Sequence, residues 1–188
     1  MTDTFFISDT HFGHAATFEK FKRPDGTPLR PFTSVDEMND TLIKNWNNTV
    51  GHSDLVYHCG DVVMNKKFLP LIAACNGRKR LIMGNHDAEN ASVYLQYFEN
   101  LYGVKVLRDM ILSHVPLERH SVVPRMGTNV HGHLHGFEIP DGAYMSVCVE
   151  SIDYTPIHID ALRTKIKAKR EQYSECDYVG KATGNGPG

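Results

Sequence analysis

The chain has 188 residues, a formal charge of −2, and 41% hydrophobic against 22% charged residues. That length suits one domain that can bury a core without staples, and the near-neutral balance leaves no global field to recruit nucleic acid or an anionic membrane. The longest apolar runs fall far short of the ~20 residues a membrane span needs, and the chain does not open on a basic segment followed by an apolar block, so a cytoplasmic protein is expected.

Short apolar strands alternate with helical stretches, which predicts an α/β (α+β) layered fold. TFFISD, residues 4–9, is the first strand, and KRPDGTPLRPF, residues 22–32, is a loop marked by three prolines and a glycine. Residues 34–50 read as a helix. Ser34 is its N-cap, Glu37 completes a capping box, and Val35, Met38, Leu42 and Trp46 recur at helical spacing toward the core. DLVYHCGD, residues 54–61, is a second strand. Residues 66–76 are a short helix interrupted by Pro70, KRLIMGNHD (79–87) is a third strand, and residues 90–103 are helical. Residues 104–116 supply one or two strands, residues 128–136 a strand and loop, and residues 143–151 and 155–160 further strands. The last helix spans residues 160–173, capped by Asp160, with Leu162 and Ile166 inward and its basic residues on a solvated face. Residues 1–175 are expected to form a single domain and residues 176–188, rich in glycine, a flexible tail. Cys59, Cys75, Cys148 and Cys176 show no paired spacing and read as reduced thiols.

Eleven histidines are the compositional anomaly, and imidazole is the commonest metal ligand. Several stand where strands end: Asp9-x-His11, Gly60-Asp61, Gly84-Asn85-His86-Asp87, His114 and Gly132-His133-x-His135. Loops at the carboxyl ends of strands in an α/β sheet converge on one crevice. Each cluster taken singly is an ordinary turn or a structural histidine; together and in this order they predict seven donors around a pair of ions. Carboxylate with imidazole suits Mn, Fe, Zn or Ni, whereas calcium would want oxygen alone. Asp9 and His11 are expected to point to the same side of an extended backbone, because strand residues alternate faces, and the same holds for His133 and His135. The glycines before Asp61, Asn85 and His133 allow the backbone to turn sharply and approach an ion closely.

The pattern D-x-H, G-D, G-N-H-[DE], H, G-H-x-H, carried here by SDTHFGH, YHCGDVV, MGNHDA, LSHVPL and VHGHLHG, closely resembles the calcineurin-like metallophosphoesterase superfamily, in its small bacterial or phage-type branch. The resemblance spans residues 4 to about 160. It implies a four-layer sandwich, two mixed β-sheets flanked by helices. It also implies a first metal held by Asp9, His11, Asp61 and His135, and a second held by Asp61, Asn85, His114 and His133. Asp61 would bridge, His86 would face the phosphate as the catalytic acid, and Asp87 would orient or polarise His86. One departure is Glu150, in SVCVES (146–151), where relatives often carry aspartate.

The chemistry so implied is hydrolysis of phosphate mono- or diesters, with nucleotides or cyclic nucleotides as the first guess. Two divalent ions roughly 3.5–4 Å apart, manganese first and iron, nickel or zinc as alternatives, would activate a bridging hydroxide for in-line attack. The partner is a small-molecule phosphoester. A metal-dependent nuclease is the second reading, disfavoured by the −2 charge and the lack of clustered aromatics. A catalytically silent metal-site scaffold is the third, disfavoured because every motif position is filled. Further expectations concern histidines and basic loops. His14 would be a surface-loop histidine or line the mouth. His58 would support the metal shell from behind or lie in the core, and His131 would be a support or simply strand. His52, His120 and His158 would be structural or exposed. Lys20, Lys22, Arg23 and Arg30 would hold substrate phosphate or form a solvated loop, and Arg119, His120 and Arg125 would form the opposite rim.

Overall fold

A computed structural model describes residues 2–122 and 127–173; the expected tail, Cys176 and Arg125 lie outside them. The strand β1 (Thr4–Ile7) is followed by a single turn, α1 (Ala16–Glu19), and by the long helix α2 (Val35–Thr49). Next come β2 (Leu55–His58), a 3₁₀ helix (Lys66–Ala74), β3 (Arg78–Ile82), the short α3 (Ala91–Tyr94) and β4 (Asn100–Tyr102). The second half holds β5 (Lys105–Leu107), β6 (Met110–Leu112), α4 (Arg119–Val122), β7 (Thr128–His131) and β8 (Tyr144–Ser146). A 3₁₀ turn (Val149–Ser151), β9 (Ile157–His158) and α5 (Ile159–Tyr173) complete it.

These elements build two mixed sheets flanked by helices. The first has the order β4-β3-β2-β1-β9, parallel except for β9, which runs antiparallel to β1. The second has the order β5-β6-β7-β8, with β5 antiparallel to β6 and the others parallel. The sheets meet where β1 ends: Ser8 bridges Cys148, and Val149 N–H donates to the Ser8 carbonyl at 3.1 Å. The carboxyl ends of β1, β2, β3, β6 and β7 therefore open on one region.

Helix α2 forms as its sequence predicts, with Met38, Leu42 and Trp46 buried. Ser34 Oγ accepts from Glu37 N–H at 3.1 Å, but the Glu37 carboxylate accepts from Thr33 N–H at 2.8 Å rather than from Ser34, so the capping box is half made. In the segment after β2, Pro70 lacks the N–H an α ladder needs, and residues 66–74 wind as 3₁₀ instead.

Two expectations need correction. Residues 90–103 are not one helix: helical structure ends at Tyr94, because the free edge of β3 captures the residues beyond it. Glu99 N–H donates to Lys79 O and Met83 N–H to Tyr102 O, each at 2.8 Å, making residues 100–102 the strand β4. Asp160 does not cap α5. The helix begins at Ile159, and Asp160 N–H donates to His158 Nδ1 at 3.3 Å, so the histidine ring supplies the acceptor. Leu162 and Ile166 face inward as expected, while Lys169 pairs with Glu138 at 2.8 Å and Arg170 donates to Thr128 Oγ1 at 2.6 Å, so part of the basic face is anchored.

His58 lies wholly inside the fold, stacked on Trp46, with its Nε2 3.0 Å from Thr10 Oγ1. Burial pushes its pKa down to about 3. Below the ordinary value near 6.5 the unfolded chain takes up a proton that folded His58 refuses, so this residue destabilises the fold progressively as pH falls toward 3. The stability of the wild type relative to His58→Gln should therefore drop by about 1.4 kcal/mol per pH unit between roughly pH 6 and 4. Urea titrations at stepped pH check this, and a pH-independent difference would show that His58 is not held neutral.

Candidate metal centre

All seven expected donors come together, each just beyond a strand. Their backbone is not extended. Asp9 (φ 57°), His11 (φ 45°), Asp61 (φ 58°), His133 (φ 70°) and His135 (φ 52°) are all left-handed. Asp9 and His11 do meet, Oδ1 to Nε2 at 3.7 Å, but on paired left-handed residues and not by strand alternation, while His133 turns to Asn85 and His135 to Asp9. Such conformations cost of order 1–3 kcal/mol each and persist only where surroundings over-determine them. Here Asp9 N–H donates to Gly60 O at 2.9 Å, His11 N–H to Asp61 O at 3.2 Å and Phe12 N–H to Val62 O at 3.0 Å, lacing residues 9–12 to 60–62.

Asp9 is completely buried. Its Oδ2 accepts from Ser8 Oγ at 2.6 Å, His133 N–H at 3.0 Å and Cys148 Sγ at 3.2 Å. Its Oδ1 has no hydrogen-bond partner and lies 3.7 Å from His11 Nε2 and 3.9 Å from His135 Nε2. Burial alone would raise the Asp9 pKa; the neighbouring His11 imidazole, with the His114 and His135 charges, more than reverses this and holds it far below the usual range. A buried carboxylate oxygen left bare among imidazole nitrogens is costly unless a cation completes it, so the donor set fits a divalent ion.

Asp61 stands between two groups of nitrogens. Its Oδ2 is 3.6 Å from His11 Nε2, 3.3 Å from His114 Nε2 and 4.0 Å from His86 Nε2, while Oδ1 accepts from His86 N–H at 2.9 Å. On the far side Asn85 Oδ1 is 2.9 Å from His114 Nε2 and 3.0 Å from His133 Nδ1. Among the described residues, ligand atoms of Asp9, His11 and His135, and of Asp9, Asp61 and His114, lie within 4.8 Å of one another. Two imidazoles have their orientation set from behind: His114 Nδ1 is 2.9 Å from the Cys59 carbonyl and His135 Nδ1 is 3.2 Å from Glu150 Oε1. Because carbonyl and carboxylate only accept, both Nδ1 atoms carry a proton; the Nε2 atoms donate to the carboxylates while the rings are charged, and each ring, once neutral, turns an Nε2 lone pair inward.

The glycines do permit close approach, though to Ser8 and the candidate donor carboxylates. At Gly132 a Cβ would overlap Ser8 Oγ and Asp9 Oδ2; at Gly84 it would overlap the Asp61 carboxylate. Gly132→Ala should cost about 1–3 kcal/mol by overpacking and weaken metal uptake in the same variant; unchanged urea stability with full uptake would contradict this packing.

Several expected roles fall differently. Asp87 does not polarise His86: its carboxylate accepts from Asp61 N–H and Gly84 N–H, both at 2.8 Å, and from Val62 N–H at 3.0 Å. It bolts together the loops that carry Asp61 and Asn85, and burial raises its pKa despite those three donors. Arg30 neither holds substrate nor faces solvent. It is fully buried against Glu150 at 2.8 Å, whereas Lys20 and Lys22 are exposed. Arg119 pairs with Asp141 at 2.6 Å and His120 with Glu118 at 2.7 Å, so neither presents a free charge at a rim.

His58 lies in the core and is hydrogen-bonded to Thr10, the residue between Asp9 and His11. His131 is buried, with Nδ1 2.8 Å from the Gly132 carbonyl. His14 is half-buried, its ring 5.6 Å from that of His11 and edge-on to Phe21 at 5.8 Å; burial lowers its pKa to about 4. His86 is the most open imidazole of the inner cluster, its side chain 43% exposed and its ring 5.7 Å from His11. Ser8 and the Arg30–Glu150 pair went unassigned by sequence reasoning. Only the departure at Glu150 gave a signal, since an arginine in a proline-rich loop carries none.

The chain belongs to the calcineurin-like phosphoesterase family, which it matches over residues 3–170. It is 34% identical over 173 residues to an uncharacterized protein of Methanocaldococcus jannaschii, covering 86% of this chain and 90% of that one. It is 30% identical over 141 residues to the gene 66 protein of Mycobacterium phage L5, covering 62% of this chain and 64% of that protein. A crystal structure of a protein of unknown function from Aquifex aeolicus shares the fold, with a TM-score of 0.68 and 24% identity over 88% of this chain and all of the other. Membership supports a metal-dependent phosphoesterase, and the Asp and His groups described above could hold its divalent ions. No helix among the described residues is long and apolar enough to cross a membrane.

Proposed function

We propose that the chain is a two-metal phosphohydrolase of small phosphate mono- or diesters, nucleotides or cyclic nucleotides first among them. Asp9, His11, Asp61 and His135 would hold one ion, and Asp61, Asn85, His114 and His133 the other. The observation that carries this reading is Asp61 Oδ2, 3.6 Å from His11 Nε2 on one side and 3.3 Å from His114 Nε2 on the other, where a bridging carboxylate is needed. Ions held there would supply Lewis-acid polarisation of the phosphoryl group and an activated water.

The protein's own groups would do the rest. Asp9 Oδ1 and Asp61 Oδ2 supply the negative charge, and the buried ends of His114 and His135 keep their inward nitrogens aimed. His86, open to solvent beside Asp61, would protonate the departing oxygen. No covalent phosphoenzyme is proposed, which agrees with the thiols: Cys59 and Cys148 are buried, and burial raises both pKa values far above the nucleophilic range. Three free, buried thiols among the described residues also support a reducing, cytoplasmic setting.

Mixed carboxylate, imidazole and amide donors suit manganese, with iron, nickel or zinc as alternatives. The test is a screen of phosphate mono- and diesters against Mn, Ni, Fe and Zn. Turnover that appears with metal and disappears with chelator is expected; silence across all four metals and both ester classes would sink the reading.

A further inference from the structure

We infer that Arg30 and Glu150 form a buried clamp that positions Asp9 and His135, two donors of the same proposed metal position; this rests on the two-metal reading above. The two residues are 120 positions apart and both side chains are fully buried. Arg30 spends its guanidinium in three directions. Nε donates to Glu150 Oε1 at 2.8 Å, Nη1 to the Thr10 carbonyl at 2.8 Å, and Nη2 to the Asp9 carbonyl. It therefore fixes two successive carbonyls at the left-handed turn that presents the Asp9 carboxylate. The same Glu150 Oε1 accepts a hydrogen bond from His135 Nδ1–H at 3.2 Å. Glu150 is itself fixed, on the 3₁₀ turn Val149–Ser151, where Val149 N–H donates to Ser8 O at 3.1 Å and Ser151 Oγ to His135 O at 3.3 Å.

The clamp thus grips both halves of one donor set: the backbone under Asp9 and the ring of His135, whose Nε2 lies 3.9 Å from Asp9 Oδ1. A buried ion pair is a weak source of stability, since well-packed apolar residues in its place are often as stable. Its value here lies in where its ends attach. Second partners of ligating imidazoles typically contribute about 10–100-fold in metal affinity. The hydrogen bonds of the pair run to Asp9, Thr10, Met38 and His135, on one side of the centre. The effect should therefore fall on one position and spare the other, where Asn85, His114 and His133 stand.

Glu150→Asp keeps the charge that neutralises Arg30 but shortens the reach, so it cannot serve Arg30 and His135 together. Glu150→Gln keeps the reach and removes the charge. Calorimetric titration of the purified chain with Mn²⁺, beside His135→Ala as the reference for that position, is the readout. Melting of the metal-free variants is followed by circular dichroism. The clamp predicts that Glu150→Asp loses about 10–100-fold at the position His135→Ala abolishes. The second position and the metal-free melting should stay near wild type, and Glu150→Gln should lose less. Two unchanged positions in Glu150→Asp would overturn it, as would parallel loss of both together with the fold, which would mark the pair as structural. Wild-type protein that takes up fewer than two ions would instead strike the two-metal reading, and the clamp with it.

Discussion

Asp61→Asn is expected to strip the protein of metal and to lower kcat/KM by about 10³-fold or more, since losing one preorganised electrostatic group commonly costs 10²–10³ and this one serves two positions. The substitution is nearly isosteric. Asparagine can still accept from His86 N–H, and the Asp61 backbone N–H stays with Asp87, so the loop has no reason to move. What changes is charge. Asp61 is buried, and burial would raise its pKa; the His114 hydrogen bond and charge, with help from His86 N–H and His11, keep it low and ionised. Removing that charge leaves Asp9, whose Oδ1 lies 3.7 Å from His11 Nε2 and 3.9 Å from His135 Nε2, as the remaining carboxylate of the seven donors. Elemental analysis after dialysis should find fewer than two ions per chain. Two ions retained in Asp61→Asn would end its assignment as the bridge.

His86→Ala is expected to behave in the opposite way: metal content unchanged, turnover down by about 10²–10⁴-fold, the usual worth of a positioned general acid. His86 contributes its backbone N–H to Asp61 Oδ1, which alanine retains, and its ring is the most exposed of the inner cluster. Stability should therefore move little. The loss should depend on the leaving group. An ester of p-nitrophenol departs with little need of a proton, so its hydrolysis should suffer less than that of an alkyl ester, whose basic oxygen needs one. Equal loss on both substrates would reassign His86 from proton donor to phosphate binder, and an unchanged kcat would remove it from the mechanism.

The sequence by itself determined the resemblance to the family, through its five-part pattern, and the order of the candidate donors, because each closes a strand within a few residues of a glycine or proline and local spacing is visible in one dimension. It likewise determined the α2 face of Met38, Leu42 and Trp46, since a 3.6-residue period needs no partner to be seen. Tertiary structure alone decided the rest, for a shared physical reason: the partners are far apart in the chain. Asp87 looked like a neighbour of His86 and is bonded instead to the backbone of Asp61, Val62 and Gly84. Arg30 looked like a surface charge and is matched by Glu150 across 120 residues. Residues 100–102 became strand only because the edge of β3 offered unpaired carbonyls and amides. The left-handed backbone at five of the donors is likewise not legible in local spacing; at Asp9 and His11 it is held by hydrogen bonds to Gly60 and Asp61, about 50 residues away in the chain.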